Sequence, residues 1–199
     1  MKALAWQRFF TEQRERHGKV IFSVAELANV ARTSPHALNT ELGRLVRRGL
    51  VTRYAQGRYG PPQGVGAQAL VAAIDAGAYI TGFYALFLNQ LVTQAPTEIT
   101  CFTNRRHNRL ANRVTPAGRL KFIRVPASLY RKPSGAVPPE QALCDFSWLM
   151  LPSGIDPQSL VTFKNLHRLQ PARLRSHLKH YPEKVRQAVA RIVRPTRRE

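Results

Sequence analysis

Apolar residues recur at helical spacing between residues 35 and 48, and polar residues fill the remaining positions. Ser34 supplies a good N-cap, and Pro35 stands at the first helical position, where its missing N–H costs nothing. Gly49 suits the position just past a helix end. The apolar positions at i, i+4, i+7 and i+8 are Leu38, Leu42, Leu45 and Val46. This pattern predicts a capped helix with one buried face, running from about Pro35 to Arg48.

A shorter helix is predicted before this one, and a hairpin after it. Ser23 and Glu26 have the spacing of a capping box, so a helix begins there and breaks near Arg32. Residues 50–54 and 58–60 are β-prone and flank a turn that contains Gly57. Helix, tight turn, capped helix and basic hairpin is the order of a winged helix-turn-helix, which places its second helix in the DNA major groove. The alternative is a small helical core with a solvated basic face.

The remaining pattern predicts an α+β chain, with an N-terminal winged helix-turn-helix followed by a mixed α/β C-terminal domain. A helix over residues 4–17 and a short strand over 20–22 complete a DNA-binding domain over 1–60. Residues 61–66 are dense in Pro and Gly and predict a linker. In the domain over 67–199, helices and strands mix without strict βαβ alternation. Helices are expected over 67–74, 81–91, 138–151, 157–163, 171–181 and 182–193, and strands over 79–80, 97–103 and 120–125.

Charge narrows the choice of partner. The 199 residues include 31 Lys and Arg against 11 Asp and Glu, a formal net charge of +20. This balance predicts a polyanionic partner, DNA or RNA first and an acidic protein second. The N-terminus lacks the apolar core of a secretory signal, and no apolar run reaches the roughly 18 residues of a membrane span. We therefore expect a cytoplasmic protein without a membrane partner, in which Cys101 and Cys144 are reduced and buried.

Candidate base-reading residues stand near the start of the helix over 35–48. Arginine reads guanine and asparagine reads adenine in the major groove. Residues further along the helix are better placed for phosphates, and those on the hairpin for the backbone or the minor groove. Each could also be an ordinary solvated side chain. The predicted DNA-binding residues are Ser34, His36, Asn39, Thr40, Arg44, Arg47, Arg48, Arg53 and Arg58.

A second basic region lies between Glu98 and Glu140, an interval that holds nine Lys and Arg and no acid. Within it, residues 104–113 read as an exposed loop after a strand. The preferred interpretation is a second surface for phosphates, and the alternatives are an acidic protein or an RNA. If six or more phosphates are neutralised, affinity should fall by roughly 10³-fold between about 50 and 200 mM salt. The predicted secondary phosphate contacts are Arg105, Arg106, Arg109 and Arg113.

Catalysis has little support in the sequence. The chain contains no HExxH motif, no GxSxG elbow and no glycine-rich phosphate loop. The few acids form no pair of the nuclease kind, and Glu140 and Asp145 are expected to cap a helix or to pair with arginines. We therefore predict no enzyme, no catalytic residue, no metal ligand and no cofactor. A nuclease or nucleotidyltransferase acting on nucleic acid is the least favoured alternative.

Several stretches together resemble the AbiEi family of antitoxins from type IV toxin–antitoxin systems. After the N-terminal module come GAYITGFYALFLNQL, the strand TEITCFTNRRH, the strand LKFIRV and the helix PPEQALCDF, in the order found in that family. The most specific of these is the Pro-Glu-x-Ala-Leu-x-Asp pattern at Pro139–Asp145. The resemblance covers most of the chain.

The resemblance implies a division of labour between the two domains. The N-terminal module would bind inverted repeats in the promoter of its own operon and repress it. The second domain would neutralise a nucleotidyltransferase-like toxin encoded next door. Two alternatives keep DNA binding without a toxin: a stand-alone regulator, and an architectural protein. The operator sequence, the toxin and the oligomeric state do not follow from the sequence.

Overall fold

The computed structural model describes residues 3–194 and has a mixed α+β fold, which confirms the predicted class. The chain divides into two compact units. The first consists of the part of the chain up to Ala76 together with Arg113–Gly118. The second consists of Gly77–Asn112 and the chain from Arg119 onward.

The first unit contains four helices and three short strands in the order that the apolar pattern predicts. Strands β1, β3 and β2 form an antiparallel sheet in that order. The elements are α1 (Ala3–His17), β1 (Phe22–Ser23), α2 (Val24–Ala31), α3 (Pro35–Arg47), β2 (Thr52–Ala55), β3 (Arg58–Gly60) and α4 (Ala67–Ile74).

Local hydrogen bonds fix the starts of α2 and α3. Ser23 and Glu26 make the reciprocal capping box at the start of α2. Arg32 ends α2 with a left-handed backbone (φ 51°). The hydroxyl of Ser34 then accepts a hydrogen bond from the amide of Ala37 at 3.3 Å, which caps α3. Within the tight turn, the backbone of Arg32 therefore ends α2 and the side chain of Ser34 begins α3.

An aromatic cluster on α1 and β1 packs against the apolar faces of α2 and α3. Trp6 is fully buried, and its ring stacks on Phe10 at 6.0 Å between centroids. Its indole Nε1 donates a hydrogen bond to Glu41 Oε1 at 2.8 Å. Leu38, Leu42 and Leu45 of α3 pack into this core, so the helix is anchored through its apolar face.

The Pro- and Gly-rich segment after β3, predicted as a linker, is part of the first unit and is hydrogen-bonded within it. The hydroxyl of Tyr54 donates to the carbonyl of Pro61 at 2.6 Å, and Arg14 Nη2 donates to the carbonyl of Gly64 at 2.6 Å. Gly64 has a left-handed backbone (φ 77°), and a Cβ there would collide with the guanidinium of Arg14. Glycine at this position therefore lets the segment pass close to α1.

The second unit is built around strands and a buried helix. Strands β4, β5 and β7 are hydrogen-bonded in that order, and β5 and β7 are parallel and in register from Glu98↔Arg119 to Thr103↔Arg124. Most of β6 belongs to the first unit. The elements after α4 are β4 (Tyr79–Ile80), α5 (Gly82–Leu88), β5 (Glu98–Thr103), β6 (Asn112–Thr115), β7 (Gly118–Arg124), α6 (Pro139–Met150), α7 (Pro157–Leu160), α8 (Pro171–Leu178) and α9 (Glu183–Val193).

Three helices of this unit are shorter than predicted, including α8, which ends at Leu178 rather than Tyr181. Helix α5 ends at Leu88 rather than Leu91, because Gln90 adopts a left-handed backbone (φ 59°). Helix α7 ends at Leu160 rather than Phe163, because the chain there turns extended and Phe163 pairs with Val92 in a β-bridge. In α5 and α7, long-range packing overrides the helical pattern.

Helix α6 carries two buried acids with unexpected partners. Asp145 accepts hydrogen bonds from the hydroxyls of Thr81 and Tyr181, each at 2.5 Å, and Glu140 Oε1 accepts from the amide of Gln170 at 2.7 Å. The predicted role, capping a helix or pairing with arginines, is wrong for Asp145, which accepts from two side-chain hydroxyls. The bond to Glu140 comes from the residue at the N-cap of α8, so this acid contacts a helix start rather than an arginine. Burial raises the pKa of Asp145 to about 7, against the lowering effect of the hydrogen bonds that it accepts.

Candidate nucleic-acid interface

Helix α3 presents a polar face opposite its buried leucines. Because 3.6 residues make a turn, positions 36, 40, 43 and 47 follow one line along the helix, and positions 38, 42 and 45 follow the opposite one. The leucines of that second line are buried. The predicted DNA-binding residues of the helix are all exposed, namely His36, Asn39, Thr40, Arg44 and Arg47, with Arg48 at its C-cap.

The single acid of α3 does not face this surface. Glu41 is half-buried, and its carboxylate accepts the hydrogen bond from the indole of Trp6. Burial alone would raise the pKa of Glu41, but the Trp6 hydrogen bond and nearby positive charge, including that of Arg44, lower it overall. The exposed face of α3, which lies wholly within the described residues, therefore carries cations and uncharged groups but no carboxylate. A polyanion would meet no repulsive charge on this face.

The two hairpin arginines differ in how free they are to reach a partner. Arg53 on β2 is exposed. Arg58 on β3 is half-buried, and its Nε donates a hydrogen bond to the carbonyl of Ala73 at 2.8 Å. Arg58 therefore ties the hairpin to the end of α4, and Arg53 is the better placed of the two for a phosphate. Ser34 is engaged as the cap of α3.

In the second unit, three of the four predicted phosphate contacts lie on an exposed loop. Arg105, Arg106 and Arg109 are exposed, and a short 3₁₀ turn covers residues 108–110. The loop is anchored, because the amide of Arg105 donates to Thr103 Oγ1 at 3.1 Å and the ring of His107 stacks on Phe122 at 4.3 Å. These two contacts fix the loop to strands β5 and β7, and its three arginines remain exposed to solvent.

Arg113 differs from the other three residues of this set. It lies in strand β6 rather than in a loop, and it is half-buried. Burial lowers the pKa of its guanidinium group. The structure therefore does not bring Arg113 together with the exposed arginines of residues 105–109.

Sequence reasoning missed one residue at the same end of the sheet. Arg124 is the register partner of Thr103 in the parallel pair, so it stands beside the start of the loop that carries Arg105 and Arg106. It is exposed and lines a small cleft with Asn104. The parallel pairing of two strands that are 20 residues apart was not readable from local pattern, and nothing else in the sequence distinguishes Arg124.

Two other cations of the acid-free interval, Lys121 and Arg131, contact groups of the second unit itself. Lys121 Nζ lies 3.4 Å from Glu98 Oε1. Arg131 donates to the carbonyls of Ala127 and Tyr130 through Nη1. The nine cations of this interval therefore do not form one uniform surface.

We expect the loop arginines to contribute phosphate contacts that salt can weaken. Replacing Arg105, Arg106 and Arg109 by glutamine should weaken binding to every DNA sequence and lower the slope of log affinity against log salt by about 2 to 3. The matched control replaces exposed Arg173, Arg175 and Lys179 of the same unit by glutamine, which removes the same charge elsewhere. An unchanged slope in the loop variant, or an equal change in the control, would place the loop away from DNA.

The described residues were also compared with the requirements of a membrane-spanning helix and of a metal site. Among residues 3–194, no helix is long and apolar enough to cross a membrane. Within the same described range, no group of three or more His, Cys, Asp and Glu side chains is arranged to hold a metal ion.

No protein-family model matches the chain, and no curated protein matches it.

Proposed function

We propose that the chain is a sequence-specific regulator of transcription that binds double-stranded DNA. The observation that carries this proposal is the exposed face of α3, which is capped at Ser34, backed by buried leucines and free of carboxylates. Asn39 and Arg44 on this face are the residue types that make bidentate contacts with adenine and guanine. The net charge of +20 supplies the attraction to a polyanion.

In this proposal the first unit is a winged helix-turn-helix. Helices α2 and α3 with the turn between them form the helix-turn-helix, and the hairpin of β2 and β3 forms the wing. Helix α3 enters the major groove with its N-terminal half first, so His36, Asn39 and Thr40 approach base edges. Arg47, Arg48 and Arg53 then contact phosphates on either side of the groove.

The second unit adds affinity rather than sequence preference. Its exposed loop presents Arg105, Arg106 and Arg109, which suit phosphate oxygens and carry no base-reading geometry of their own. Phosphate contacts fix position and supply salt-dependent affinity, while base contacts supply specificity.

The resemblance to AbiEi antitoxins extends the proposal to a biological role. The chain would repress its own promoter at inverted repeats, and its second unit would neutralise a toxin encoded beside it. A second candidate, a stand-alone regulator or architectural protein without a toxin, is favoured by one observation. The acid-free interval makes the second unit itself basic, which suits DNA as well as an acidic protein surface.

Binding of the purified protein to the DNA upstream of its own gene tests the proposal. We expect the affinity for this duplex to exceed that for a scrambled duplex of equal length by about 10³-fold or more, in about 150 mM salt. Equal affinity for both would contradict sequence-specific regulation and leave the architectural role. Separately, the toxin role requires that the product of a neighbouring gene form a stable complex with this chain.

A further inference from the structure

Gly43 is half-buried and lies on the polar face of α3, one turn from Thr40 and one turn from Arg47. Glycine is less favourable than alanine inside a helix, because it loses more backbone freedom on folding. Its backbone at this position is part of a regular helix, so no left-handed conformation requires glycine here. Position 43 therefore carries a cost in stability that its conformation does not explain.

Packing within the chain does not explain this glycine either. A Cβ built on Gly43 would have Arg47 Nη1 as its nearest neighbour, at 3.9 Å, which is an ordinary contact with the end of a flexible side chain. The described part of the chain, residues 3–194, therefore leaves room for alanine at position 43. The reason for glycine is then to be sought in something that approaches α3 from outside.

The charges around Gly43 indicate what that partner is. Arg44, Arg47 and Arg48 flank the glycine, and Glu41 is held toward Trp6 on another side of the helix. A second copy of this face would bring like charges together, which is unfavourable. A polyanion would gain from the same cations. Glycine is also the residue used where a backbone must come close to a ligand.

We propose that Gly43 is the point at which α3 comes closest to DNA, and that its missing side chain sets how deeply the helix sits in the major groove. This inference rests on the proposed function. Asn39 and Arg44 lie within one turn of Gly43, so a side chain at 43 would lift both away from the base edges. Glycine at this position thus acts on specificity without reading a base itself.

The test is a graded series at position 43 in the full-length chain. We expect Gly43→Ala to raise the midpoint of urea unfolding and yet to lower affinity for the preferred duplex about tenfold, the equivalent of one weakened base contact. Gly43→Leu should lower that affinity further. Affinity for a scrambled duplex should change by less than about threefold, since phosphate contacts survive a small displacement.

Gly135→Ala is the matched control. It adds the same methyl group at a position where a Cβ would have nothing within 4 Å and where the backbone is not left-handed. This variant should bind both duplexes like the original chain.

The possible outcomes separate this inference from the proposed function. If the original chain prefers its upstream DNA but both Gly43 variants bind that DNA unchanged, the proposed function stands and the role of Gly43 is wrong. If the original chain shows no preference for any duplex, the proposed function itself fails, and the inference fails with it. If Gly43→Ala changes the oligomeric state in sedimentation without changing affinity per bound protein, the close approach is to a second copy, which also overturns the inference.

Discussion

Replacing Asn39 and Arg44 together by alanine is expected to abolish the preference for a specific duplex. Each bidentate contact between a side chain and a base contributes about 1 to 3 kcal/mol of discrimination. Two lost contacts correspond to about 2 to 6 kcal/mol, or a loss of roughly 30-fold to 10⁴-fold in affinity for the preferred sequence. Both side chains are exposed and point away from the leucines of α3, so the fold should persist.

Most non-specific binding should survive in this double variant. Only one positive charge is removed from a chain of net charge +20, and the phosphate contacts of Arg47, Arg48 and Arg53 remain. The measurement is a titration of both the preferred and the scrambled duplex at one salt concentration. The control replaces Asn29 and Arg8 by alanine, which are exposed residues of the same types on helices of the same unit. Preference that persists in the Asn39 and Arg44 variant would show that another element reads the bases.

The parts of the fold that could be predicted are those determined by neighbouring residues. The capping box of Ser23 and Glu26 and the cap at Ser34 each join residues three apart, so the sequence itself contains the interaction. The stripe of Leu38, Leu42 and Leu45 predicts a helix that ends at about Arg48. Helix α3 ends at Arg47, one residue earlier. For the same reason the exposed positions of α3 could be predicted, because helical periodicity separates the two faces.

The contacts that could not be predicted join residues far apart in the chain. Thr81 occupies the N-cap position of α5, as expected, but its hydroxyl donates to Asp145, 64 residues away, instead of capping the helix. Arg58 was grouped with DNA contacts, although its Nε is bonded to the carbonyl of Ala73. Local pattern identifies a residue's type and its place on an element, but not which distant group it will meet.

The burial of Asp145 is another feature that the sequence does not predict. An acid on a helix is ordinarily exposed, since burial of an unpaired carboxylate is costly. Asp145 is instead fully buried, and its carboxyl group joins the start of α5 and the segment before α9 through Thr81 and Tyr181. The most specific motif of the AbiEi resemblance, Pro139–Asp145, thus includes a residue that holds three segments of the second unit together.

The burial of Asp145 has a consequence for stability that can be measured. Its pKa is about 7 in the folded chain, against an ordinary value of 3.8. Between these two pH values the folded chain holds a proton that the unfolded chain has released, so the free energy of unfolding falls as the pH rises. Below about pH 4 both states are protonated, and above about pH 7 both are ionised, so this contribution is constant outside that window.

The expected size of this effect is large for a single side chain. The difference between the two pKa values corresponds to about 4 kcal/mol of stability lost between about pH 4 and pH 7. Other groups act in the opposite direction. Glu26 in the first unit has a pKa lowered to about 2, because hydrogen bonds from Lys19 and Ser23 outweigh the raising effect of burial. Its contribution to the free energy of unfolding is therefore lost as the pH falls. The dependence on Asp145 must therefore be isolated by substitution.

Asp145→Asn should remove this dependence on pH. Asparagine has nearly the same shape, and the hydroxyls of Thr81 and Tyr181 can rotate to donate or accept, so their hydrogen bonds can be kept. We expect the free energy of unfolding of the variant, minus that of the original chain, to increase by about 4 kcal/mol from about pH 4 to pH 7 and to level off above it. Urea unfolding followed by tryptophan fluorescence measures this difference, because Trp148, one of the two tryptophans of the chain, packs against the core that contains Phe102.

Asp156→Asn provides the matched comparison for this measurement. Asp156 is exposed and caps α7 by accepting a hydrogen bond from the amide of Gln158 at 3.1 Å, a bond that asparagine can also accept. The same change of charge at this site should give a difference in stability that varies little over the same range. If Asp145→Asn behaves like Asp156→Asn, the carboxyl group of Asp145 is ionised in the folded chain throughout the range. Burial would then be offset by the hydroxyls of Thr81 and Tyr181, and hydrogen bonding rather than desolvation would govern the charge of this side chain.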